Sequence, residues 1–383
     1  MIPLQKNAFS FDENICYLNC AYMSPQLKVV SKAGQESVRL KEHPWSIGLE
    51  TFFSTPEKAR TLFASLIDAT ADDVAMIPSV SYGIETARLN IARQREFKPG
   101  ANILVLEDQF PSNVYPWRSL VDTQPGLLSL RTVKRPLDYD WTAALEAAID
   151  EQTVIVAVPH CHWTDGSVID LPRVRQFCDN QGAALVVDAS QSLGAMPFSI
   201  KTIRPDFLVT ASYKWLLGPY SLGFMYIDPK YQQGQPLEQN WTNRKNSENF
   251  AELVNYRDDY QPGARRFDVG ERSNFALVPM AIAALTQLHE WGVTNIANTL
   301  RTLTNAIARR AESLGLGYIP EHARAAHMTG IQIPAEIATN LNEQLQNEKI
   351  FVSLRGKSLR ISPHLYNSMQ DIEHLFHILE KQL

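Results

Sequence analysis

A chain of 383 residues, 45% hydrophobic and 20% charged, is long enough for two globular domains. Its 36 basic and 41 acidic residues leave a net charge of −5, which excludes a general nucleic-acid binder and argues against adhesion to anionic membranes, since both need a basic face. No run of 18 apolar residues occurs, four cysteines are too few for a disulfide framework, and the opening Met-Ile-Pro-Leu-Gln-Lys lacks the basic-then-apolar layout of a signal peptide, so a cytoplasmic enzyme is expected.

There is no internal repeat, low-complexity tract or heptad pattern. Residues 1–30 are too short to fold alone and are expected to pack on a C-terminal unit. A helical pattern over 84–95 follows the turn-like Pro78-Ser79-Val80-Ser81-Tyr82-Gly83. Short apolar runs at 103–106, 154–158, 184–187, 207–210 and 223–227 predict strands buried on both faces. Helical patterns at 141–149 and 171–181 lie between them. Such alternation predicts an α/β domain with a mostly parallel sheet and right-handed crossovers, spanning 31–274. Its last stretch, 226–274, is rich in Gln, Asn, Asp and Arg and reads as a long, partly irregular excursion, functional or at an interface. From 275 to 383 the texture is that of a smaller α+β domain. Helices are predicted at 276–288, 293–314, 335–347 and 368–383, with strand-like segments at 330–333, 350–353 and 358–361.

Open α/β sheets bind ligands at the carboxyl ends of their strands. Those ends are followed here by Gln109-Phe110-Pro111, by Pro159-His160-Cys161-His162, by Asp188-Ala189-Ser190-Gln191 and by Ser212-Tyr213-Lys214. An aromatic residue, a histidine, an acid and a lysine therefore reach one sheet edge. Asp188 alone reads equally as a turn residue or N-cap, and Lys214 alone as a snorkelling surface lysine. Lys214 is followed by the apolar, turn-forming Trp215-Leu216-Leu217-Gly218-Pro219. Burial there lowers a lysine's pKa, as imine-forming lysines require. The two residues together, 26 positions apart and both after strands, favour chemistry over either bland reading.

The stretch LVVDASQSLGAMPFSIKTIRPDFLVTASYKWLLGPYSLGFMYI, with its Asp-x-x-Gln followed by Lys, resembles the core of the class V aminotransferase family. These are fold-type-I pyridoxal-phosphate enzymes and include cysteine desulfurases, kynureninase and cystine C–S lyase. YLNCAYMSP at 17–25 resembles the family's N-terminal segment and LRISPHLYNS at 359–368 its C-terminal arginine motif, so the likeness covers essentially the whole chain. It implies a large domain built on a mostly parallel seven-stranded sheet and a small α+β C-terminal domain. It implies that Lys214 forms the imine with pyridoxal phosphate, that Asp188 pairs with the ring nitrogen and that Gln191 bonds the phenolic oxygen. The Ser-Tyr-Lys around Tyr213 is similar to that of kynureninase, where the tyrosine reaches the phosphate. FPSNVY at 110–115 is similar to a kynureninase element whose phenylalanine stacks on the ring, the role this assigns to Phe110. The phosphate is expected on Val80 and Ser81, at a helix start with free N–H groups. Arg360 is expected to bind the substrate α-carboxylate with its guanidinium fork. Tyr22, Trp163 and Asn274 are expected on the substrate side, and Trp241 is a further candidate for the pocket wall. RFDVGERSN at 266–274 resembles a segment that reaches the neighbouring subunit's phosphate, so Arg272 and Ser273 imply a homodimer with composite sites.

His160-Cys161-His162 invites a metal reading. Alternate residues of an extended stretch point opposite ways, and no matching His/Cys spacing occurs elsewhere; no metal is expected. A Rossmann dehydrogenase needs Gly-x-Gly-x-x-Gly, which is absent. A non-catalytic binding protein of the same fold has no use for Lys214, Asp188 and Arg360 together. Within the family, a persulfide-forming desulfurase needs a thiol on a loop before the C-terminal arginine. None of Cys16, Cys20, Cys161 and Cys178 lies there. The expected reaction is Cα deprotonation of an α-amino acid with loss of a β-substituent, a C–S type lyase; aminotransferase is the alternative and epimerase or racemase the third.

Overall fold

The computed structural model describes residues 1–12 and 14–383, and every side chain among them except that of Thr339. The strands are β1 (Cys16–Tyr17), β2 (Val74–Ile77), β3 (Ala101–Leu106), β4 (Leu128–Val133), β5 (Thr153–Pro159), β6 (Ala184–Asp188), β7 (Phe207–Ala211), β8 (Gly223–Ile227), β9 (Thr329–Gln332), β10 (Ile350–Phe351), β11 (Ser353–Arg355) and β12 (Ser358–Ile361). Seven of them form one sheet in the order β2-β8-β7-β6-β5-β3-β4. β8 runs antiparallel to both its neighbours and the other pairings are parallel. This is the mostly parallel seven-stranded sheet the resemblance implies.

The two-sided apolar runs have a direct consequence for packing. On β3, Ile103 and Val105 enter one buried cluster, with Ile84, Ala87 and Ile91 of the helix Val80–Arg93. Leu104 and Leu106 enter the other cluster, on the opposite face. β5 and β7 divide in the same way: Ile155, Ala157, Phe207 and Val209 on one side, Val156, Val158 and Leu208 on the other. Each such side chain contributes roughly 1.5–3 kcal/mol on burial, which is why these strands read so clearly.

Two strands of the sheet and three helices of two turns or more lie outside the predicted elements. β2 has four residues, all buried, and a run that short does not separate strand from helix by period. β4 is the edge strand; only its two ends are buried, and Ser129, Arg131 and Thr132 interrupt any alternation. The helix Lys28–Leu40 buries only Val30 and Gly34, and Thr55–Leu66 and Tyr115–Asp122 complete the set. The expected strand at 350–353 is two strands. β10 pairs in parallel with β1, whereas β11 pairs with β12, and β12 with β9, in a three-stranded antiparallel sheet. The excursion contains only short 3-10 turns between β8 and the helix Leu277–Trp291. That helix packs against Lys28–Leu40 and Thr55–Leu66. No helix among the described residues is long and apolar enough to cross a membrane.

Parallel direction decides where the chemistry gathers. β3, β5, β6 and β7 end on the same edge, and β2, antiparallel to β8 as β7 is, ends there too. Five loops from distant parts of the chain converge on that edge.

Candidate active site

At that edge lies a cavity of about 310 Å3, lined by residues from all five loops. Its volume is at the lower end of ligand pockets, which run from about 300 to 1,000 Å3. Val80, Ser81, Phe110, Trp163, Asp188, Gln191, Tyr213 and Lys214 are all on its wall.

Lys214 sits at the centre. The loop that carries it is closed by the Leu217 N–H on the Lys214 carbonyl (3.1 Å) and the Gly218 N–H on the Ser212 carbonyl (2.9 Å). Gly194, at φ +97°, lets the loop after β6 pass: a Cβ there falls 2.1 Å from the Trp215 carbonyl oxygen. Lys214 is buried, with 7% of its surface exposed. Burial pulls its amine from 10.5 down to about 8; Asp188 opposes the shift, and the charges of Arg360 and Arg355 add to it. Its Nζ stands 5.3 Å from the centre of the Phe110 ring and 5.6 Å from that of Tyr213.

Asp188 ends β6 inside the cavity. Its Oδ1 accepts the Ser190 N–H at 3.0 Å. Burial pushes its carboxyl above the ordinary value, against the hydrogen bonds from Ser190 and the charge of Lys214. A buried carboxylate with no ion pair among the described residues fits a protonated ring nitrogen, which supplies both charge and donor. Gln191 donates to the Ala21 carbonyl (3.1 Å) and accepts from Trp215 Nε1 (3.0 Å), which leaves one amide N–H for a phenolic oxygen. At the opposite end is the first turn of the helix Val80–Arg93, capped by Ser79, whose Oγ accepts the Tyr82 N–H at 3.2 Å and lies 3.0 Å from Ser81 Oγ. First-turn N–H groups have no intrahelical acceptor, so this end suits a phosphate. Phe110 is edge-on to Trp163, ring centres 5.5 Å apart, and Trp163 Nε1 donates to the Asp108 carbonyl at 2.6 Å. An acid, an amine, a flat aromatic face and an anion-binding helix start fit pyridoxal phosphate as a set.

The remaining candidates lie off this wall. Arg360, on β12, is 1% exposed and sits behind Trp163, to whose carbonyl its Nη1 donates at 2.7 Å. Its Nε and Nη2 are buried with no hydrogen-bond partner among the described residues. Burial first, then the charge of Arg355, pull its guanidinium down to about 9. Such a fork lacks only an anion. Tyr22 is exposed, near enough to Arg355 and Tyr213 to influence their charge. Arg272 is buried against its own chain: its Nε lies 3.3 Å from Asp268 and its Nη1 donates to the Thr242 carbonyl at 2.9 Å. Asp268 is also bound in bidentate fashion by Arg60 at 3.1 and 2.6 Å. Ser273 is buried. Asn274 uses its Oδ1 to cap a helix, accepting the N–H groups of Ala276 (3.1 Å) and Leu277 (2.9 Å). Trp241 packs with Phe52, Phe53 and Phe250 instead of on the cavity wall.

Several wall residues escaped the sequence reading. Asn113 accepts from Trp117 Nε1 at 3.0 Å, and its Nδ2 is buried without a partner. It lies within the FPSNVY stretch, so that resemblance carried the signal. Gln109 ties the same loop to the Asn113 and Ala157 carbonyls (2.7 and 3.1 Å). Ser112, Ser190, Tyr220 and Ser221 also line the cavity; they lie within the quoted stretches, but the resemblance assigns them no individual role. His160 and His162 diverge: His160 lies against Phe198, whereas His162 stacks on Trp141 and meets Thr164 Oγ1 at 2.8 Å. No group of three or more metal-ligating side chains occurs among the described residues.

Comparison with known proteins agrees with this geometry. The family model Aminotransferase class-V matches residues 49–375. An uncharacterized aminotransferase, YcbU, of Bacillus subtilis (strain 168) is 29% identical over 354 residues, covering 90% of this chain and 88% of its own. A kynureninase of Burkholderia mallei (strain SAVP1) is 25% identical over 349 residues, covering 88% and 80%. Among solved structures, a C-DES variant with glycine covalently linked to the PLP cofactor superposes with a TM-score of 0.88 at 16% identity, covering 99% of this chain and 100% of that one. The apo cysteine desulfurase of Thermococcus onnurineus NA1 does so with a TM-score of 0.81 at 20% identity, covering 100% and 98%. The fold is that of fold-type-I pyridoxal-phosphate enzymes, and with the family model matched across most of its length the chain belongs to the class-V aminotransferase family of pyridoxal-phosphate-dependent enzymes.

Proposed function

We propose that this enzyme removes a β-substituent from a small α-amino acid, as a Cβ lyase of the C–S type. The observation that sets this reading apart from inversion at Cα is the pairing of Lys214 with Phe110 across 5.3 Å, and the likeness of FPSNVY and Ser-Tyr-Lys to kynureninase favours cleavage at Cβ. One amine, held near neutrality by burial, faces an aromatic ring that has no acidic proton. Trp163 behind that ring has committed its N–H to Asp108. This supplies a single base on one side, whereas inversion at Cα needs a second acid on the other.

Bound pyridoxal phosphate supplies an electron-withdrawing ring next to the substrate's Cα. Asp188 keeps a proton on the ring nitrogen, and the start of the helix Val80–Arg93 with Ser81 holds the phosphate. Arg360 takes the α-carboxylate and so fixes which Cα bond faces Lys214. Lys214 then accepts the Cα proton, and the Cβ–S bond breaks with its electron pair going to sulfur. With one water consumed, the products are a thiol, pyruvate and ammonia. Phe110 and Trp163 screen the reacting carbon from solvent. The one thiol on the wall, Cys161, is 1% exposed, and burial raises it well above its ordinary pKa. It is thus a poor nucleophile for sulfur transfer.

The test supplies cysteine and cystine and follows three readouts. Pyruvate and ammonia in equal amounts, with no protein-bound persulfide by mass spectrometry, are the expected result. Catalytic persulfide formation on any of the four cysteines overturns it. The likeness to an uncharacterized aminotransferase favours transamination as the second reading, and stoichiometric keto acid with no ammonia and amine-form cofactor selects it.

We also propose a homodimer whose sites are completed by the 266–274 segment. Trp45, Leu49, Phe250, Val254 and Tyr256 are exposed apolar side chains, and Phe250 continues the aromatic cluster of Phe52, Phe53 and Trp241. Exposed apolar side chains next to such a cluster suit an interface. Sedimentation of the cofactor-loaded enzyme is expected to show two chains; a fully active monomer removes the idea.

A further inference from the structure

On the far side of Trp163 a second cavity opens, about 700 Å3 in volume, sharing Gln109 and Trp163 with the first. Three cations line it: Arg135, Arg355 and Lys357. Arg135 is committed, paired with Asp165, 3.8 Å from Asp108 and bonded to Thr164 Oγ1 at 3.0 Å. Arg355 has no carboxylate partner among the described residues. Its Nη1 donates to the neighbouring Leu354 carbonyl at 2.9 Å, and its Nε is buried without a partner. Its guanidinium lies over the Trp163 ring, 5.6 Å from the centre, so it is held in place by cation–π attraction. The hydroxyl of Ser358, on the same cavity wall, is likewise buried and unpartnered.

The hairpin of β11 and β12 sets the geometry. Arg355 is paired with Ser358 and Ser353 with Arg360. Residues opposite each other in an antiparallel pair share a face, as do alternate residues along one strand. Arg355, Ser358 and Arg360 therefore project from one face of the hairpin. The two arginines are two residue steps apart along it, about 7 Å at the rise of a strand. Together with burial, the charge of Arg355 helps to pull the Arg360 guanidinium down, and neither arginine has a carboxylate partner among the described residues. A single ligand with an anion at each end relieves both.

We propose that the second cavity is the subsite for the substrate's side chain, that the substrate is an α-amino acid whose β-substituent ends in a carboxylate, and that Arg355 is the residue that selects it. This rests on the lyase reading: Arg360 takes the α-carboxylate, Arg355 and Ser358 take the distal one, and the Cβ–S bond lies between them beside Trp163. The thiolate released on elimination carries its carboxylate with it into the open second cavity.

The experiment compares S-carboxymethylcysteine with its neutral, nearly isosteric amide in the cofactor-loaded enzyme. Pyruvate formation gives kcat/KM, and the change in cofactor absorbance on titration gives affinity without turnover. The native enzyme is expected to favour the acid at least tenfold in both. Arg355→Gln should bring both ratios close to one, and Arg355→Lys, which keeps the charge but not the stacked guanidinium, should restore only part of the preference; retention of the visible cofactor band checks that each variant folds. An acid-to-amide ratio unchanged in Arg355→Gln, or a native preference for the amide, overturns the subsite. Pyruvate from both compounds without preference leaves elimination standing and removes the subsite. An absorbance preference that is lost in Arg355→Gln, with no pyruvate from either compound, keeps the subsite and removes elimination.

Discussion

Lys214→Ala should abolish the visible band of lysine-bound cofactor and lower turnover by about 10³-fold or more, the scale of losing a positioned proton-transfer group. The fold should survive, because Lys214 makes no ion pair among the described residues and its loop is closed by backbone bonds from Leu217 and Gly218. Far-ultraviolet circular dichroism like that of the native protein, together with loss of the band, is the signature. A surviving lysine-bound band refutes the assignment. The same residue gives a pH dependence whose sign follows from burial. Removing an ammonium from water disfavours its charged form, so the amine falls from 10.5 to about 8. Only the neutral amine attacks a carbonyl. In cofactor-free protein, the rate of cofactor capture should therefore rise about tenfold per pH unit up to about 8 and level off above it. A half-point near the ordinary lysine value contradicts the buried setting.

Arg360→Met should have opposite effects on binding and stability. Arg360 is 1% exposed, and two of its three nitrogens lack partners. Its neighbours Cys161, Tyr17 and Cys20 carry no charge to offset its own. Replacing a buried, unpaired charge with an apolar chain of similar length removes that desolvation cost. The cofactor-free variant should therefore melt at a higher temperature than the native protein, although the Trp163 carbonyl loses its donor. Loss of the charged hydrogen bonds to the substrate carboxylate, worth about 2–5 kcal/mol, should lower kcat/KM by about 30- to 4,000-fold. Most of that loss should appear in KM. Arg360→Lys should not rescue binding, since an ammonium cannot form the bidentate fork. The cofactor band should still be present in both variants, because Arg360 is not on the cavity wall. An unaltered KM removes Arg360 from substrate binding, and a lower melting temperature shows that its charge is compensated by groups other than those named.

The second cavity changes how the hairpin reads. Arg355 and Arg360 are both legible in the chain, but SLRGKSLR does not show that their side chains share a face. The register does, by setting Arg355 against Ser358. Likewise the aromatic setting of Arg355 depends on Trp163, nearly two hundred positions away in the chain.

What the sequence alone determined is what depends on period and order. Two-sided apolar runs marked β3, β5, β6, β7 and β8, because strands buried on both faces must be apolar at every position. Their alternation with helices implied parallel pairing, and parallel pairing brings Phe110, Trp163, Asp188 and Lys214 to one edge. Elements whose apolar pattern is weak were not legible: β4 with its exposed centre, β2 with four residues, and the helix Lys28–Leu40 with two buried positions. Tertiary structure decided the rest. It turned Arg272 inward to Asp268 and made Asn274 a helix cap. It placed Arg360 behind Trp163 and left Arg355 beside it with no carboxylate partner among the described residues. A charged side chain in sequence says only that it needs an anion or water. Which one it finds is set by the burial and register of strands far apart in the chain, and no local pattern encodes that.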